Sequence, residues 1–166
     1  EWLGDIPSHW EVKKLKHLAT IVNGSTPDSD KSEFWDGDIV WLTPVDLGKL
    51  EGTYAFNSQR RITEMGFKSC GTTLVPAKSI VLTTRAPIGN VCITAVDACT
   101  NQGCKSLLLW DSDVKYRYFQ LLAFRKYLEA LGSGSTFKEL STNVFKEFTL
   151  PTPPLAEQLA IATYLD

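Results

Sequence analysis

Apolar and polar residues alternate over Trp10-Glu11-Val12-Lys13-Lys14-Leu15, the period of a half-buried strand. Thr20-Ile21-Val22 predicts a second strand, closed by Asn23-Gly24. From Ser25 to Gly37 the chain is polar and rich in turn residues, which predicts a long functional loop. Ile39-Val40-Trp41-Leu42 then reads as a buried strand stopped by Thr43-Pro44. Ser79–Thr84 and Asn90–Val96 are dense in β-branched residues and predict two further strands joined by the short Arg85-Ala86-Pro87-Ile88-Gly89. Lys105–Trp110 is another strand, preceded by Asn101-Gln102-Gly103.

Beyond Trp110 the period changes from two to 3.6. Asp111-Ser112-Asp113 offers N-cap chemistry, and Val114, Tyr118, Leu121, Leu122, Leu128 and Leu131 form the apolar stripe of one long helix ended by Gly132. A Gly/Ser segment, Gly132-Ser133-Gly134-Ser135-Thr136, separates it from a shorter helix over Ser141–Glu147 and a strand over Phe148–Leu150. Pro153-Pro154 opens a last helix with Leu155, Leu159, Ala162 and Leu165 along one side. That pattern stops without a cap at Asp166, and the first residue is not Met, so we expect a domain from a longer chain whose next element is a long helix. The expected division is 1–152 for the domain and 153–166 for the start of that helix.

A length of 166 residues with 43% apolar and 22% charged residues suits one folded domain and not a disordered chain. No apolar run approaches a membrane span, and the N-terminus lacks the pattern of a signal peptide. The spacing of Cys70, Cys92, Cys99 and Cys104 does not match a tetrahedral zinc site, and we read them as buried or half-buried thiols in a reducing cytoplasm. Net charge is −2, but its distribution is uneven: residues 1–58 carry five basic against ten acidic groups, and residues 59–150 twelve against seven. Such a molecule can offer one positive face to an anionic partner; scattered solvated charge is the plain alternative.

Catalytic signatures are poorly represented. Phosphate-binding and dinucleotide-binding glycine motifs are missing, and Thr152-Pro153-Pro154-Leu155 lacks the amide and stacking ring of a base-methylation motif. Asp28 with Asp113 and Lys115 could be imagined as a metal-dependent nuclease, but their separation is long and Asp113 is better read as a helix cap. Neither His9 nor His17 lies near a nucleophile in a recognisable pattern.

Binding chemistry is better supported. Arg85 sits at a strand end beside a rigid Pro-Gly turn and could read guanine O6 and N7 or hold a phosphate; pairing with a local carboxylate is the alternative. Asn101 and Gln102 carry the amides that read adenine N6 and N7, or else cap a turn. Lys105 could reach a phosphate. Ser133, Ser135, Thr136 and Lys138 combine small donors, a close-approaching backbone and a cation, unless the segment is a plain linker. Arg60 and Arg61, like Arg125 and Lys126, would add phosphate contacts if they share that face.

Ile6-Pro7-Ser8-His9-Trp10 with Leu15, Thr84–Gly89, Asn101-Gln102-Gly103, Gly132–Thr136 and the closing Leu150-Pro151-Thr152-Pro153-Pro154-Leu155-Ala156-Glu157-Gln158-Leu159-Ala160-Ile161 occur here in order. This ordered set resembles a target recognition domain of the specificity subunit of type I restriction–modification enzymes, over nearly the whole chain. The resemblance implies an α/β (α+β) domain with a curved, mostly antiparallel sheet and flanking helices. It implies double-stranded DNA as partner, with one half of a bipartite target read by each of two such domains, in one parent chain or in a dimer. It also implies a non-catalytic cytoplasmic protein without a cofactor of its own. Methyl transfer from S-adenosylmethionine belongs to the modification subunit, and ATP-driven cleavage to the restriction subunit. A protein–protein assembly module that does not read DNA is the competing expectation.

Overall fold

The computed structural model describes residues 4–134 and 138–166. Among the described residues, ten strands form three sheets. The largest contains β2 (Ala19–Asn23), β4 (Tyr54–Ala55), β6 (Ile80–Thr83), β7 (Val91–Thr94) and β9 (Cys104–Leu109), in the order β2-β9-β6-β7-β4. Its contacts are antiparallel except for the short parallel pairing of β4 with β7. A three-stranded sheet has β3 (Trp35–Leu42) between β5 (Arg61–Ile62) and β8 (Ala98–Thr100), antiparallel to the first and parallel to the second. The third sheet pairs β1 (Glu11–Lys14) antiparallel with β10 (Thr149–Thr152). The fold is thus mixed α/β and mostly antiparallel, with the single expected sheet divided in three.

The five-stranded sheet is buried on both faces, which explains why its central strands read as continuous apolar runs. In β6, Ile80 and Leu82 point into one core, with Ile93, Leu107, Leu121, Leu128, Phe145 and Leu150, while Val81 faces a second core with Leu42, Leu47, Cys92 and Cys104. The first core is covered by α3 (Val114–Ala123), α4 (Arg125–Leu131) and α5 (Thr142–Glu147). A third cluster, Phe34, Trp35, Trp41, Ile62 and Cys99, fills the three-stranded sheet.

Several expectations need correction. The polar stretch from Ser25 ends earlier than Gly37: a 3-10 turn forms at Ser32–Phe34, and Asp36, Gly37 and Asp38 already belong to β3. The irregularity between Trp35 and Ile39, with Asp36 at a φ of 60°, lets this polar sequence join a strand. In β1 the alternation does not predict burial, since Val12 is exposed in a two-stranded sheet. The helix after Asp113 is two helices, divided at Phe124, whose ring packs edge-on against Tyr127 and Phe148. Leu122 and Leu131 of the expected stripe are therefore exposed.

Gly132 ends α4 without a left-handed cap: its φ is −63°. Its role is close packing, because a Cβ there would lie 2.5 Å from Cδ1 of Ile88. Two short helices, α1 (Pro44–Lys49) and α2 (Glu64–Ser69), carry no long apolar stripe. They are set by their caps, Thr43 with Asp46 in a reciprocal box and Thr63 accepting from the Gly66 N–H. The last helix, α6 (Leu155–Leu165), packs on α3 through Gln158 and Ala162 and leaves Leu155, Leu159 and Leu165 exposed. Among the described residues, no helix is long and apolar enough to cross a membrane.

Candidate nucleic-acid interface

Four chain segments meet at one end of the five-stranded sheet: the exit of β2, the turn after β6, the turn before β9, and the segment leading to α5. The register sets this meeting, because Asn23 pairs with Lys105, Leu82 with Lys105 and Thr83 with Cys104. Main-chain hydrogen bonds extend it. Thr84 donates to the Gly103 carbonyl at 2.8 Å, and Leu140 to Thr84 at 2.8 Å. Ser25 donates to Thr100 at 2.9 Å, and Asn101 to Leu42 at 3.0 Å. Arg85, Gln102 and Lys138 therefore project from loops whose backbones are bonded to one another or to a shared strand.

The turn carrying Arg85 is braced from within. Thr83 donates its hydroxyl to the Pro87 carbonyl at 2.6 Å and accepts from the Asn90 N–H at 3.0 Å, while Gly89 donates to the Thr83 carbonyl. The Ala86–Pro87 peptide bond is cis. Ile88 is buried beneath this turn, and Arg85 stands exposed above it, with Nε 3.5 Å from Oε2 of Glu139. The alternative of a local carboxylate partner is thus realised, though an exposed pair of this kind leaves guanidinium donors available to a ligand.

Asn101 uses its side-chain oxygen to accept from the Gly103 N–H at 2.9 Å and so caps the turn. Gln102 is exposed and accepts from the Thr26 hydroxyl. Lys105 differs most from the simple picture of an outward cation. It is 5% exposed and donates to the Asn23 side-chain oxygen at 3.0 Å, which also accepts from Thr142. Burial pushes its pKa down, with Glu139 acting the other way and Arg85 reinforcing the drop. Ser133 is exposed and pairs with Glu139 through two main-chain hydrogen bonds; Lys138 is exposed beside it. Ser135 and Thr136 lie outside the described residues.

Arg61 opens β5 of the three-stranded sheet, and Arg60 immediately precedes it. The Arg60 guanidinium lies 3.5 Å from the centroid of the Trp35 ring, and Arg61 donates to Asn57 at 2.8 Å. Trp35 packs edge-on against Trp41, which donates to the Ser25 carbonyl at 3.0 Å. A ladder of two indoles thus connects Arg60 to the loop beside Gln102. Arg125 instead pairs with Glu129 on α4.

Sequence reading missed Asn23 and Glu139, which join segments distant in the chain. Asp113 accepts from the Tyr116 N–H at 2.8 Å and caps α3. Among the described residues, no group of three His, Cys, Asp or Glu side chains could hold a metal ion.

Comparison with known proteins gives this arrangement a family. The chain belongs to the type I restriction modification DNA specificity domain family, whose model matches residues 7–166. It is 40% identical over 166 residues to the type I restriction enzyme MjaIX specificity subunit of Methanocaldococcus jannaschii, covering 98% of this chain and 38% of that protein. It is 29% identical over 164 residues to the EcoR124I/EcoR124II specificity subunit of Escherichia coli, covering 94% and 40%. Its fold superposes with a TM-score of 0.75 on the HsdS subunit from Thermoanaerobacter tengcongensis, at 21% identity, covering 98% of this chain and 38% of that one. The chain spans about two fifths of the length of these relatives.

Proposed function

We propose that this domain reads one half of a bipartite double-stranded DNA target, as part of a specificity subunit that leaves bond-making to its companions. The carrying observation is the convergence of Arg85, Gln102, Ser133 and Lys138 on one end of a rigid sheet. Cations neutralise phosphates and supply affinity, while Arg85 and the amides supply base contacts. Arg60, stacked on Trp35, extends the basic surface from the neighbouring sheet. Loops on a rigid scaffold can change their reading without changing the fold beneath.

In this reading the functional partners are DNA, the modification and restriction subunits, and a second recognition domain in the parent chain or in a dimer. The compartment is the cytoplasm. Residues 1–152 form the reading unit, and 153–166 begin the helix through which it is assembled.

The test is duplex titration over a series of salt concentrations. Expected is an observed association constant that falls linearly with salt on logarithmic axes, with Lys138→Ala reducing the slope by about one and Arg85→Ala relaxing the base preference at one position. Binding without a salt slope, or none at low ionic strength, would overturn the reading and favour an assembly module.

A further inference from the structure

The candidate interface keeps a carboxylate that a surface built only to attract a polyanion would discard. Glu139 lies between Ser133 and Arg85: antiparallel bridges connect it to both. Its own N–H and carbonyl are bonded to Ser133 at 2.9 and 3.1 Å, and the next residue, the fully buried Leu140, is tied to Thr84. The turn that carries Arg85 is fixed as tightly by Thr83. Both side chains thus start from immobilised main chain, and both remain nearly half exposed at 46% and 43%. The carboxylate faces Nε of Arg85 and lies within electrostatic reach of Lys105.

An exposed ion pair of this kind adds little to stability. Its consequence for orientation is larger, because a guanidinium is a planar fork of five donors. A carboxylate against the Nε side restricts rotation of the plane and leaves the Nη donors unused by Glu139. Those donors match the paired acceptors of a guanine in the major groove.

We infer that Glu139 is a positioning residue that aims Arg85 at a guanine base edge, and that its negative charge lowers affinity for DNA of any sequence. This rests on the reading of the domain as a DNA-recognition unit. The charge repels phosphate whatever the sequence, whereas the aimed guanidinium benefits only a duplex with guanine in register. Discrimination, a difference between two affinities, rises through the aimed guanidinium, while the repulsion lowers both affinities alike. Exclusion of water on docking strengthens the Glu139–Arg85 attraction at the moment it matters.

The experiment uses the full-length specificity subunit assembled with its modification subunit and a pool of randomised duplexes. The bound fraction is sequenced for the wild type, Glu139→Gln, Glu139→Ala, Arg85→Ala and the Arg85→Ala/Glu139→Gln double variant. Affinity for a fixed random-sequence duplex and the urea midpoint are measured alongside. Glu139→Gln preserves the main-chain pairing, so its midpoint should stay with the wild type. Expected is a guanine preference at one position that falls about fivefold or more in both Glu139 variants and vanishes in Arg85→Ala. Random-duplex affinity should rise in the Glu139 variants, and Glu139→Gln should change no base preference once Arg85 is gone.

If the Glu139 variants keep the guanine preference that Arg85→Ala erases, the positioning role is wrong while DNA reading stands. If Arg85→Ala weakens all sequences equally, Arg85 is a phosphate contact and the inference fails. If no variant alters binding or preference, this surface does not meet DNA, and the functional reading of the site fails with it.

Discussion

Arg117 and Gln120, one turn apart on α3, share a hydrogen bond of 2.7 Å and both donate to the carbonyl of Pro151. Arg117 is 1% exposed and has no carboxylate among its hydrogen-bond partners, which also include Ser112 and Thr152. Burial pulls its pKa down to about 10. The pair fastens β10, and with it the start of α6, to the helical layer. Gln158 continues the junction by accepting from the Asp113 N–H and donating to the Pro153 carbonyl.

Arg117→Ala should therefore destabilise the protein by about 3 kcal/mol, since it leaves a cavity and an unpartnered Gln120 oxygen. Arg117→Met should lose less than Arg117→Ala, because both remove the buried charge but the Met side chain refills most of the cavity. Urea unfolding of the two variants beside the wild type checks both the loss and its order.

Gly24→Ala should impair the candidate interface directly. A Cβ at Gly24 would lie 2.1 Å from the Asn101 carbonyl oxygen and 2.3 Å from that of Thr100, so the two loops must separate. A stability loss of about 1–3 kcal/mol is expected. Duplex affinity at low salt, measured well below the unfolding midpoint, should fall as well.

Acid should weaken the protein partly through Glu147. Its carboxylate accepts from Lys14 and Lys16, both at 2.6 Å, and these bonds lower its pKa from 4.5 to about 2. A carboxyl with a lowered folded-state pKa contributes stability above its unfolded value, and that contribution disappears as pH falls from about 4.5 towards 2. The pairs are exposed and screened by salt, so the effect is modest. Glu147→Gln should flatten this part of the curve, as seen in urea midpoints at stepped acid pH.

Thiol labelling should divide the cysteines three to one. Cys92 and Cys99 are buried with pKa values pushed up to about 12, and Cys104 is raised by the same desolvation. Cys70, partly exposed on the loop after α2, should take iodoacetamide in the native protein, and the others only in denaturant. Mass spectrometry before and after unfolding counts the adducts.

The central strands were legible because β6 and β7 concentrate β-branched residues and face cores on both sides. β4, β5 and β8 were not, since strands of two or three residues are too short to show a period and exist through their partners. Caps rather than apolar faces define α1 and α2. At the site, Arg85 and Gln102 could be found from strand ends and turn chemistry. Lys105 reads as an outward cation until the register of β9 puts it on the face covered by helices, where Asn23 receives it. Glu139 could not be found, because its meaning comes from an arginine 54 positions away.

Glu11 and Thr152 are direct neighbours in the small sheet formed by β1 and β10. The polypeptide consequently enters and leaves through one doorway, and everything between is a closed excursion. Such a unit is a cassette: the intervening stretch could be exchanged for another of different reading while the flanking chain holds its course. A circular permutant cut within the Ser25–Asp30 loop, with a linker joining the segments that flank β1 and β10, should assemble the same three sheets.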